Sequence, residues 1–159
     1  MTNSSSSSFV LEIRIELKNG EVLGFNGEGT TGEWPAPYYG IEAHKSPKEL
    51  CKSGSIEGLI QALKDSVISQ DEDDETRMIP VFNEESELIQ GLRKLQTIDE
   101  IETIEISGER EREHGDEYMY EGMGAVYHLS SRKQRYTYSG EDYDDEGSGG
   151  RIAFHVPRK

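Results

Sequence analysis

The chain has 159 residues, a single cysteine, 33% hydrophobic and 31% charged residues, and a formal net charge of -15. That length suits one domain with a real core, one cysteine excludes an intrachain disulfide, and no run approaches the roughly 18 apolar residues of a membrane helix. The charge is uneven: residues 1–70 hold nine acids against six Lys/Arg, residues 71–146 hold 23 against eight, and residues 147–159 hold only cations, Arg151, Arg158 and Lys159.

Residues 1–8 are polar, with Ser4–Ser8 a low-complexity run, and are expected to form a disordered Ser-rich tail before one domain over 9–159. They lack the apolar stretch of a secretory signal, so the expected setting is cytoplasmic. Phe9, Leu11, Ile13, Ile15 and Leu17 alternate with Val10, Glu12, Arg14 and Glu16, the pattern of a half-buried strand. Asn19-Gly20 marks a hairpin. A two-residue loop would put Leu23 and Phe25 on the face opposite Ile13 and Ile15. A three-residue loop, Lys18-Asn19-Gly20 with Gly20 left-handed, sets Ile15 against Leu23 and Ile13 against Phe25, and burial on one face selects it.

Residues 24–45 read as a Gly/Pro-rich loop carrying Trp34, Tyr38 and Tyr39. Ser46-Pro47-Lys48-Glu49 has the cap, first-turn proline and acid of a helix start. Ser53-Gly54 ends that short helix, and Ser55 caps a second over about 56–69, where Ile56, Leu59, Ile60, Leu63 and Val67 form one stripe. The acidic run Asp71–Glu75 is expected to terminate it. Met78–Phe82 reads as a short strand, with Pro80 indicating an edge or an end. Asn83 is the expected cap of a helix over about 84–95, with Leu88, Ile89, Leu92 and Leu95 as its stripe.

Ile104 and Ile106 mark a further strand, and Glu109–Glu113 alternates acid with Arg as a solvated turn or strand extension. Glu117–Leu129 alternates on both faces, with Gly122 and Gly124 expected at a bulge or a close backbone approach. Gln134–Ser139 and Ile152–Val156 read as the last strands, separated by an acidic Gly-rich loop over 140–150. This order predicts an α+β domain: a mostly antiparallel sheet of about six to seven strands with two to three helices packed on one face.

The candidate site residues are the two acidic loops, near 71–76 and 140–150, and the aromatics that accompany them. Asp71, Glu72, Asp73, Asp74 and Glu75, and Glu141, Asp142, Asp144, Asp145 and Glu146, suit a Lys/Arg patch on a partner. Trp34, Tyr136, Tyr138 and Tyr143 would supply the anchors that interfaces favour. The plain alternative is a solvated loop that aids solubility. Asp142, Asp144 and Glu146 alternate as calcium ligands do, but the central Gly and flanking helices of an EF-hand are missing.

No pair among His44, His114, His128 and His155 has zinc-motif spacing. There is no phosphate-binding Gly-Lys-Ser/Thr loop and no nucleophile elbow, so no cofactor is expected. Arg132–Tyr138 interleaves cations with aromatics as single-strand binders do, but the acidic surroundings oppose direct nucleic-acid binding. The expectation is therefore a non-catalytic acidic protein that docks on or inhibits a basic protein, such as a toxin or a nucleic-acid-binding enzyme. In charge and size, though in no shared motif, it is similar to small immunity proteins and inhibitors. The alternatives are a small enzyme or ligand-binding domain with a pocket near His128 and His155, and an acidic accessory subunit of a larger complex.

Overall fold

A computed structural model of the chain describes residues 6–30, 39–41, 46–71, 74–114, 117–138 and 141–144. In chain order the elements are β1 (Ser6–Leu17), β2 (Val22–Thr30), β3 (Tyr39–Ile41), α1 (Pro47–Leu50), α2 (Ile56–Ser66), β4 (Val67–Asp71), β5 (Asp74–Pro80), α3 (Glu87–Arg93), a 3-10 turn (Ile98–Glu100), β6 (Ile101–His114), β7 (Glu117–His128), β8 (Lys133–Tyr138) and β9 (Glu141–Asp144). The fold is α+β. Strands pair in the order β2-β1-β6-β7-β8-β9 in one sheet and β3-β4-β5 in a second, and every pairing is antiparallel. The strands are thus divided between two sheets.

Alternation in β1 dictates the larger sheet. Leu11, Ile13, Ile15 and Leu17 are buried, while Glu12 and Arg14 between them are exposed. The first hairpin has the three-residue loop: Gly20 adopts φ +97°, its N–H bonds the Leu17 carbonyl, and Ile13 and Ile15 face Phe25 and Leu23. Only a residue free of Cβ takes that φ without strain. A bulge opens β6: Leu17 pairs with Ile101 but Glu16 with Thr103, so Glu102 is extra. Ile101 and Ile104, three apart, are consequently both fully buried. The same cluster takes Ala125 and Tyr127 from β7, Leu50 from α1, Leu59, Ile60 and Leu63 from α2, Val67, and Leu88, Ile89 and Leu92 from α3. Each such Leu or Ile contributes about 1.5–3 kcal/mol. Phe25 and Phe82 close one end edge-to-face, their ring centroids 5.0 Å apart.

Several boundaries differ from expectation. Ser6, Ser7 and Ser8 are not tail but the start of β1, paired with Glu113, Arg112 and Glu111; ladder bonds are made by main chain and need no apolar side chain. The second helix stops at Ser66 instead of running to 69, because Val67 and Ile68 join β3 and β5 in the small sheet. That sheet's strand starts at Asp74 and ends at Pro80, which suits the end of an edge strand. The third helix begins at Glu87. Asn83 makes an Asx turn instead, its Oδ1 accepting from the Glu85 N–H, and Ser86 occupies the cap. Gly122 and Gly124 lie in β7 without a register shift, and a Cβ on Gly124 would come within 3.2 Å of the Ile106 carbonyl, so close approach is the reason there. The strand read at 152–156 lies outside the described residues.

Helix α1 has only four residues, yet its first turn is fully satisfied. Pro47 has no N–H, the Glu49 N–H bonds Ser46 Oγ at 3.2 Å, and the Leu50 N–H bonds the Ser46 carbonyl. The remaining Lys48 N–H donates to Oε1 of Gln134 in β8 at 2.9 Å. Gln134 is 3% exposed, and its Nε2 donates to the Tyr136 hydroxyl at 2.8 Å.

Candidate functional site

The larger sheet has two unlike faces. One parity supplies the core; no described residue of the other parity belongs to that cluster. On this second face Val22 is 45% exposed, Glu12, Arg14, Asn26, Lys133 and Arg135 are exposed, and Glu16, Thr103, Glu105, Val126 and His128 are half-buried. Register then places the acids. From β6 the positions of this face are Glu105, Glu109, Glu111 and Glu113; from β1, Glu12 and Glu16; from β2, Glu28; from β9, Asp142 and Asp144. Against them stand Arg14 opposite Glu105, Arg135 opposite Asp144, and Lys133. The alternation at Glu109–Glu113 is thus a strand extension in which the glutamates and Arg110 and Arg112 hold alternate register positions.

The expected loop at 140–150 is a strand over its first part. Glu141–Asp144 forms β9, which among the described residues pairs with β8 and ends the strand order. Arg135 and Thr137 of β8 oppose Asp144 and Asp142, and an opposite-charge cross-strand pair favours pairing where apolar content does not. The first acidic run brackets the β4–β5 turn of the smaller sheet, with Asp71 paired to Asp74 and Glu75 following in β5. The two acidic runs therefore belong to different sheets.

Three of the expected aromatic anchors, Tyr136, Tyr138 and Tyr143, lie in β8 and β9. Tyr136 packs against the core and accepts from Gln134. Tyr143 pairs with Tyr136 and Tyr138 with Glu141, register positions that alternate with those of Asp142 and Asp144. On the acidic face the aromatic positions are Tyr118, across from Glu113, and Tyr120, across from Glu111. Either parity of Glu117–Leu129 carries tyrosines in the sequence, and the pairing with β6 decides which of them stand opposite acids.

His128 ends β7 on the acidic face, paired with Thr103 and Lys133, and His114 pairs with Glu117. Among the described residues no cluster of His, Cys, Asp or Glu is suited to a metal ion. No helix among them is long and apolar enough to cross a membrane. Trp34, Glu72, Asp73, Asp145 and Glu146, with His44 and His155, lie outside the described residues.

No family model, no curated protein and no solved structure matches this chain.

Proposed function

We propose that this is a non-catalytic binding protein whose open, acidic sheet face docks on a basic protein and blocks it. The covered face, in this reading, is purely architectural. What supports it is the register of β6 and β7: Glu109, Glu111 and Glu113 line one face, with Tyr120 and Tyr118 directly across the ladder from the last two. Carboxylates clustered on one surface speed encounter with a cationic partner. Tyrosines among them supply amphipathic contact area at low entropic cost. Asp142 and Asp144 extend the same surface to the sheet edge, and the Asp71–Glu75 turn adds to the long-range field.

Two variants separate these roles. Immobilised chain is expected to retain a basic protein from native extract, and that protein is then used for kinetics. Glu109→Gln/Glu111→Gln/Glu113→Gln is expected to slow association about tenfold with little change in dissociation. Tyr118→Ala/Tyr120→Ala is expected to leave association unchanged and raise dissociation about tenfold or more, as central aromatic truncations do. If both variants bind as the parent does, the docking face is not this one.

A further inference from the structure

A concave surface lies where α1 and its following turn, the 3-10 turn and the β7–β8 turn meet. It is a cleft of about 680 Å³, within the size range of small-molecule sites. In a chain of net charge -15 its walls carry three cations, Lys48, Lys52 and Arg132, against Glu49 and Asp99. Apolar wall comes from Ile98 and Leu129 beside Tyr127. Among the described residues neither Lys52 nor Arg132 forms an ion pair. Tyr127 is only 8% exposed, and no described residue bonds its hydroxyl.

Two structural features hold these groups in place. Gln134 and Ser46 bind the first-turn amides of α1, which fixes the segment that presents Lys48 and Lys52. Arg132 closes the β7–β8 turn at φ +61°, the one non-glycine described residue in the left-handed region. Gly or Asn would fill that position more comfortably. A cation stands there against local preference, and strain of this kind concentrates at ligand sites.

We propose that this cleft binds a small phosphate-bearing molecule, its phosphate between Lys52, Arg132 and the Tyr127 hydroxyl and its apolar body against Ile98 and Leu129. Guanidinium and ammonium groups with a phenol donor match a phosphate's acceptor oxygens. Cys51 also lines the cleft, but burial pushes its thiol up to about 12, so binding involves no thiolate attack at neutral pH.

The test is a titration of the full chain, followed by amide chemical shifts, with inorganic phosphate in one arm and a nucleoside 5′-monophosphate in the other. Saturable one-to-one binding is expected in both arms, tighter for the nucleotide because of the apolar wall. Equal affinities would restrict the site to free phosphate and overturn the organic body. Arg132→Gly relieves the turn while removing the cation, so it is expected to raise the melting temperature yet weaken binding about tenfold. Lys52→Gln is expected to weaken binding similarly, and Glu109→Gln to leave it unchanged. Absence of saturation at millimolar ligand, or shifts unaltered in both Arg132→Gly and Lys52→Gln, would overturn the proposal.

Discussion

Gln134 lies 86 positions along the chain from the helix amide that it binds. Its carboxamide is buried, so losing it removes the side-chain acceptor of the Lys48 N–H and leaves the Tyr136 hydroxyl without that donor. Gln134→Leu is expected to lower unfolding free energy by about 1–3 kcal/mol in denaturant titration; an unchanged midpoint would mean that α1 does not depend on this bond. Between α2 and α3 Glu84 gathers Arg93 Nη2 at 2.7 Å, Arg93 Nε at 3.0 Å and Lys64 Nζ, while Arg93 also meets Glu57. The Arg93 bonds first, then the Lys64 bond, hold the Glu84 carboxyl down to about 2 from its usual 4.5. A lowered carboxyl stabilises the fold fully above the unfolded value and loses that contribution as pH falls toward the folded one. The stability gap between the parent and Glu84→Gln should therefore be small, present at neutral pH, and close between pH 4.5 and about 2. A gap that ignores pH would contradict the ion-pair origin.

At the scale of elements, local chemistry was legible where both burial and turn type spoke together. The first hairpin's register followed from one-sided burial plus Asn19-Gly20, and the caps at Ser46 and Ser55 from residue type alone; Ser55 Oγ accepts from the Gly58 N–H at 3.0 Å. The end of α2 was not legible, because Val67 suits a helix stripe as well as a strand and only the partners β3 and β5 decide. Nor was β9, whose composition argues for loop while its ladder with β8 is made by backbone and by Arg135 opposite Asp144. Gly58 illustrates a constraint that propensity hides. An added Cβ would lie 1.8 Å from Ser53 Oγ and 2.4 Å from its Cβ. Gly58→Ala should thus cost about 1–3 kcal/mol even though alanine favours helix. Adding Ser53→Gly should recover most of that loss; a stabilised single variant would show that the turn gives way freely.

For the whole molecule, counting charges located the acidic half of the chain but not the surface it forms. Acids dispersed over β1, β2, β6 and β9 come to one face only through cross-strand register, which links residues as distant as Glu12 and Asp142. The cleft at Lys52 and Arg132 was illegible for the same reason: its cations are too sparse in sequence to form a motif. The central claim is that the acidic sheet face meets a cationic protein. It is tested most directly by the rate of association with the captured basic partner, followed across a salt series for the parent and for Glu109→Gln/Glu111→Gln/Glu113→Gln. The parent's rate should fall steeply as ionic strength rises, and the variant should start slower with a visibly shallower dependence. Superimposable salt dependences would contradict the claim.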